Sequence, residues 1–162
     1  MDTLWAPWRG EFINAEKRAD CIFCAFPSES KDRENLILAK TAKSFAILNK
    51  FPYNNGHLMV IPRRHTADFG SLSPEESADL HQLLQLSIRV LEQAYKPNGF
   101  NLGMNLGHVA GAGIADHLHY HVVPRWSGDT NFMPVIGQAK VMIEHLQSSY
   151  EKLQPLYQKA LG

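Results

Sequence analysis

Apolar positions recur along this chain with two different periods. From Ser73 onward, Leu80, Leu83, Leu84, Ser87, Leu91 and Ala94 fall at helical spacing. The stretch opens on Ser73-Pro74-Glu75-Glu76, a capping box with proline at the first helical position, and stops at Lys96-Pro97-Asn98-Gly99. This predicts the longest helix. A second helix is expected from about Ala139 to Lys159, with Val141, Leu146, Tyr150, Leu153 and Tyr157 on its apolar side. Elsewhere the apolar runs are short and bounded by turn residues. Leu36–Ala39, Ser44–Leu48, His57–Pro62, Phe100–Asn105 and His117–Pro124 read as strands, and Pro52-Tyr53-Asn54-Asn55-Gly56 reads as a turn. Strands arranged around one long central helix predict an α+β fold with an antiparallel sheet.

The 162 residues suit one domain, 1–162, in which 1–20 form an aromatic N-terminal arm and 138–160 carry the C-terminal helix. Sixteen basic residues balance sixteen acidic ones, which argues against a protein built to coat nucleic acid or an acidic membrane. No apolar run approaches the roughly 20 residues of a membrane span, and the first residues lack a signal-peptide layout, so a cytoplasmic location is expected. The only cysteines, Cys21 and Cys24, are too close together for a disulfide framework. Their Cys-x-x-Cys spacing is that of a zinc half-site, and alone it also suits a redox pair or two small buried residues.

The chemistry concentrates in His117-Leu118-His119-Tyr120-His121-Val122-Val123-Pro124. On a strand, imidazoles at i, i+2 and i+4 share one face and stand ~7 Å apart, so one phosphate group can touch two or three of them. Imidazole near neutral pH is a nucleophile, a proton shuttle and a metal ligand. The alternative is a surface strand that merely carries histidines, but three adjacent titratable rings repel one another when charged. A glycine-rich loop, Gly107 to Gly113, precedes the strand and lets backbone N–H groups approach phosphate oxygens.

This segment resembles the histidine-triad (HIT) motif, His-x-His-x-His-x-x with apolar residues between, Tyr120 standing at one apolar position. Asn49 followed by Gly56-His57-Leu58-Met59-Val60-Ile61-Pro62, then His65, Pro124-Arg125 and Gly128-Asp129-Thr130-Asn131-Phe132-Met133-Pro134 extend the likeness, as does Leu4-Trp5-Ala6-Pro7-Trp8-Arg9. It is nearest to a bacterial and archaeal branch described as diadenosine-tetraphosphate phosphorylases. The resemblance implies a HIT-like sheet and a nucleotidyl transferase or hydrolase that cleaves dinucleoside polyphosphates at the α-phosphate. It implies His119 as nucleophile, His121 donating to phosphate oxygens, and His117 orienting its neighbours or assisting the leaving group. Asn49, His57, Asn105, Gly111 and Gly113 would hold the nucleotide.

Galactose-1-phosphate uridylyltransferases, which are similar in fold, imply His65 and His117 as partners of Cys21 and Cys24 in a structural zinc site. An adenine nucleotide or dinucleoside polyphosphate is the implied ligand and a homodimer the implied assembly, with neither nucleic acid nor membrane as partner. The stretch Gly111-Ala112-Gly113-Ile114-Ala115 lacks the hydroxyl or Gln that many relatives carry there, which leaves water and phosphate both open as acceptors. Two other readings stand beside this one: a phosphoramidase acting on adenylated amines, and a nucleotide-binding regulatory module without turnover. His81 and His145 are expected to face solvent on their helices. His108 is either a polyphosphate contact or a plain loop residue. Trp5, Trp8 and Trp126 are expected in core or interface.

Overall fold

The computed structural model describes residues 20–132, 136–137 and 142–162. The aromatic arm therefore lies outside the described residues, apart from Asp20, as do Val141, Met133 and Pro134. The strands are β1 (Ile37–Lys40), β2 (Ser44–Leu48), β3 (Leu58–Pro62), β4 (Gly99–Gly103) and β5 (Tyr120–Arg125). They form one sheet in the order β1-β2-β3-β5-β4, and every neighbouring pair is antiparallel. This is the expected α+β arrangement.

Strand alternation sorts the side chains onto two covered faces. Leu58, Val60 and Val122 pack with Ala46, Leu48 and the helices. Met59 and Ile61 join Phe23, Ile37, Phe45 and Ile47 on the opposite face. Coverage on both sides explains why β2 and β3 are buried at every position and read as nearly continuous apolar runs. Met59 stands opposite His121 and Val60 opposite Tyr120, so His121 belongs to the face away from the long helix.

A short helical turn, α1 (Ile22–Ala25), carries the Cys-x-x-Cys segment and had no separate sequence signal. The long helix α2 (Pro74–Tyr95) starts as expected. Ser73 accepts from the Glu76 N–H and the Glu76 side chain accepts from the Ser73 N–H. Lys96 ends it in the left-handed conformation, its N–H donating to the Glu92 carbonyl. Leu86 and Val90 widen the buried stripe beyond the positions the period picks out.

The last helix, α3 (Leu146–Leu161), begins later than its apolar period suggests. Residues 142–145 are not helical, and His145 sits in extended backbone as the N-cap instead of on the helix. The cause is local: the Glu144 carboxylate accepts from Ser149 Oγ at 2.8 Å and also takes the Tyr95 hydroxyl and the Lys152 ammonium. That network fixes the entry to α3 from outside the helical path. Further along, buried Tyr157 donates to Ser87 Oγ at 2.6 Å, and Ser87 donates to the Leu83 carbonyl, locking α3 against α2. Among the described residues no helix is long and apolar enough to cross a membrane.

Candidate functional site

β5 begins at Tyr120 rather than at His117, so the first two histidines of the triad lie on the extended approach to the strand. That approach is pinned by the Leu118 N–H, which donates to the Thr66 carbonyl at 2.8 Å. The Nδ1 atom of His119 lies 2.8 Å from the His117 carbonyl. A carbonyl only accepts, so Nδ1 carries the proton and Nε2 of the neutral ring keeps its lone pair. The His119 ring is buried, 5.4 Å from Phe23.

A second chain of hydrogen bonds sets the tautomer of His121. The Tyr53 backbone N–H donates to His57 Nδ1 at 3.0 Å, which leaves the proton of His57 on Nε2. That Nε2 lies 3.0 Å from His121 Nδ1 and donates to it. His121 consequently carries its own proton on Nε2. Desolvation, with the His121 charge second, lowers His57 to about 3; desolvation, with His119 second, lowers His121 to about 4. Both rings are neutral at pH 7, so the relay of donors keeps its direction. His57 is fully buried between His121 and Asn49, with the Tyr53 ring stacked on it at 4.7 Å.

Both nitrogens of His117 are engaged. Its Nε2–H donates to the Pro62 carbonyl at 2.8 Å, which leaves Nδ1 unprotonated. Burial also lowers the pKa of this ring, and that favours the neutral form. Nδ1 stands 3.4 Å from Cys21 Sγ, 3.6 Å from Cys24 Sγ and 3.3 Å from His65 Nδ1, and His65 Nδ1 is 3.3 Å from Cys24 Sγ. The four residues expected to ligate a metal are thus brought together, their donor atoms all within 4.8 Å of one another. With Zn–S about 2.3 Å and Zn–N about 2.0–2.1 Å, a tetrahedron has edges of about 3.3 Å between nitrogens and about 3.6 Å between nitrogen and sulfur. The donor set and its spacing fit such an ion.

The remaining expected residues surround this centre. Asn49 Oδ1 accepts from the Phe51 N–H at 2.8 Å, and its Nδ2 is 3.5 Å from His57 Nε2. The glycine-rich loop contains a short 3-10 turn, His108–Ala110, flanked by Gly107 and Gly111, both at positive φ. A side chain on Gly111 would meet Asn105 Nδ2 at 3.6 Å, whereas one on Gly113 would meet open space. His108 and His81 are exposed, as is His145 at its N-cap position. Trp126 donates to the Tyr95 carbonyl at 3.4 Å, as a packing residue does.

Several contributors were missed from sequence. Phe23 and Tyr53 pack on the triad rings, and no periodicity marks either one. Asn54 is buried and donates to the Pro124 carbonyl at 3.0 Å and to Asp129 at 2.7 Å. It thereby ties the turn that holds His57 to the end of β5. The Arg125 guanidinium grips Asp129 at 2.6 and 3.0 Å and holds its carboxyl well below the usual range. Glu76, known from sequence only as a helix cap, also takes Arg64 at 2.7 and 2.9 Å.

The family model described as the HIT domain matches residues 30–128. A protein named AP-4-A phosphorylase from Mycobacterium tuberculosis is 40% identical over 157 residues, covering 92% of this chain and 80% of that one. An adenosine 5'-monophosphoramidase from Schizosaccharomyces pombe is 35% identical over 105 residues, covering 65% of this chain and 74% of that one. Among solved structures, a Zn-bound histidine triad family protein from Mycobacterium smegmatis superposes with a TM-score of 0.69 at 27% identity, covering 87% of this chain and 95% of that one. A hypothetical histidine triad nucleotide-binding protein from Sulfolobus tokodaii gives 0.67 at 30% identity, covering 86% and 91%.

Proposed function

The chain belongs to the HIT domain family, and on that premise we propose that it cleaves dinucleoside polyphosphates such as diadenosine tetraphosphate at the α-phosphate, through a nucleotidyl-His119 intermediate. The observation that carries this reading is the fixed tautomer of His119. Its Nδ1 proton is committed to the His117 carbonyl, and its Nε2 lone pair is available beside His121.

In the first step Nε2 forms a bond to the α-phosphorus, and the bond from phosphorus to the bridging oxygen breaks. The leaving nucleoside polyphosphate departs with that electron pair. His121, its Nε2–H directed by the His57 relay, donates a hydrogen bond to the phosphoryl oxygens as charge develops on them. In the second step inorganic phosphate or water attacks phosphorus, the P–N bond breaks, and His119 recovers its lone pair. Asn49 serves the ribose, while Asn105 and the backbone at Gly111 and Gly113 serve the phosphates. His117 acts as a positioning residue through its carbonyl.

Cys21, Cys24, His65 and His117 would hold a zinc ion, a closed four-ligand centre that supplies structural anchorage and no open coordination position. A homodimer completes the proposal. The outer edge of β4 pairs with no strand among the described residues, and Leu102 on it and Leu106 just beyond its end are 51% and 52% exposed.

Incubation with diadenosine tetraphosphate, with and without phosphate, tests the reaction. ADP plus ATP with phosphate, or AMP plus ATP with water, supports it and names the acceptor. Turnover of adenosine 5'-phosphoramidate alone would point instead to the phosphoramidase activity for which the Schizosaccharomyces relative is named. His119→Ala should lose several powers of ten in rate while retaining nucleotide binding. Retention of more than a few per cent of activity, or a nucleotide trapped on another residue, would overturn the assignment.

A further inference from the structure

Next to the triad lies a cavity of about 360 Å³ to which none of the roles above is attached. It is lined by Tyr53, Asn54, Asn101, Val123, Arg125 and Thr130. Its place in the sheet relates it to the chemistry. Val123 follows His121 on the same face of β5, about 7 Å further along the strand. On β4, Asn101 stands opposite Val123 and Gly103 opposite His121. A side chain on Gly103 would meet nothing within 4 Å, so the floor between His121 and the cavity is open. Asn49 bonds to the His57 carbonyl from the β2 side of the site, whereas the cavity lies on the β4 side. The triad histidines therefore stand between Asn49, the proposed ribose partner, and the cavity.

The cavity's chemistry selects among ligand parts. Among the described residues that line it Arg125 is the only cation, and that charge is already balanced by the paired Asp129 carboxylate. These residues offer a phosphate no net positive charge. A neutral aromatic base with its sugar finds more. The Tyr53 ring is 56% exposed and offers a stacking surface beside the triad. Arg125 Nη1 donates to Asn101 Oδ1 at 2.6 Å, which leaves the Asn101 amide hydrogens as donors. Thr130 adds a hydroxyl at the rim. The volume falls in the usual range for small-molecule sites, about 300–1,000 Å³.

We propose that this cavity is the subsite for the distal nucleoside of the leaving half of a dinucleoside polyphosphate, its phosphates crossing over Gly103. The proposal rests on the reaction assigned above and adds to it a determinant of substrate length.

The test compares two substrates that differ in the distal half. Diadenosine tetraphosphate has a second nucleoside, and adenosine 5'-phosphoramidate has none. Thr130→Trp places bulk at an exposed rim position and should fill the cavity without disturbing the core. Asn101→Ala removes one donor. For the tetraphosphate, kcat/KM should fall about tenfold or more in Thr130→Trp and severalfold in Asn101→Ala. For the phosphoramidate, which does not reach the cavity, kcat/KM should stay within about twofold. Equal losses on both substrates, or no loss on the tetraphosphate in either variant, would overturn the subsite while leaving the reaction standing. A parent protein that turns over neither substrate would remove the reaction itself, and the subsite with it.

Discussion

His57 Nε2 lies 3.0 Å from His121 Nδ1, and one backbone N–H, that of Tyr53, decides which of the two rings donates. A buried side chain outside the triad thus sets the proton position of a residue inside it. Replacing His57 with leucine fills similar space and removes the donor, so His121 loses its tautomer preference. The expected result is a drop in kcat of about 10²-fold or more, with nucleotide affinity changed only severalfold. Nitrogen-15 NMR of His121 should report the Nε2–H form in the parent and a mixture of tautomers in the variant. An unchanged tautomer together with an unchanged kcat would refute the relay.

Acid sensitivity follows from the same pair. Both pKa values are depressed on folding, from about 6.5 to about 3 for His57 and to about 4 for His121. Between those limits the unfolded chain binds protons that the folded chain refuses. Stability from these groups is complete above about pH 6.5 and is lost as pH falls toward 4 and then 3. The Glu76 carboxylate, held to about 2 by Arg64, adds loss in the same direction below its ordinary value near 4.5. Denaturant midpoints should therefore decline steadily from pH 7 to pH 4. NMR should show His57 and His121 neutral at pH 5.5. A titration of either ring near 6.5 in the folded protein would contradict the burial argument.

Much of this arrangement is legible in the sequence. The triad reads from period-two spacing, which puts three imidazoles on one face wherever the backbone is extended, and that holds even though β5 begins only at Tyr120. The capping box reads from four residues because its hydrogen bonds are local. The grouping of Cys21, Cys24, His65 and His117 follows from the resemblance, since spacing alone leaves the two cysteines with three readings. Contacts between segments were not legible. Nothing near Asn54 or Asp129 shows that one will hold the other, 75 residues away. The apolar period places the start of α3 too early because it registers the face a helix buries. It does not register a carboxylate such as Glu144, which takes Ser149 and Lys152 from α3 itself and Tyr95 from α2 and holds the chain off the helical path.

Arg64 joins two structures that the sequence keeps apart. Its guanidinium grips Glu76 at the cap of α2 and also donates to the Ser71 carbonyl at 2.8 Å, while the next residue, His65, faces the two cysteines. Glu76→Gln keeps the shape and weakens both the cap and the ion pair. It should cost about 1–3 kcal/mol of stability. Arg64→Met should loosen the His65 loop, and metal affinity measured against a competing chelator should fall about tenfold or more. The same affinity in Arg64→Met and the parent would show that the loop is held without this pair.

The last prediction concerns the cluster itself. His117 belongs to two systems: its Nδ1 faces Cys21, Cys24 and His65, and its carbonyl holds the Nδ1 proton of His119. An ion bound there would fix the backbone from which His119, the proposed nucleophile, takes its tautomer. Metal analysis of protein purified without chelator should find about one zinc per chain. Binding energy at a closed site is also folding energy, so strong chelation should lower Tm. Chelation should reduce kcat more than nucleotide affinity, because it loosens the carbonyl behind His119 and removes no group that touches the nucleotide. Cys21→Ser should reproduce both defects, since a neutral hydroxyl is a poor replacement for a thiolate. Without zinc in the parent, and with a Cys21→Ser variant that melts like the parent, the cysteines would be packing residues. The orientation of His119 would then rest on the Pro62 carbonyl, the Leu118–Thr66 hydrogen bond and the packing of Phe23.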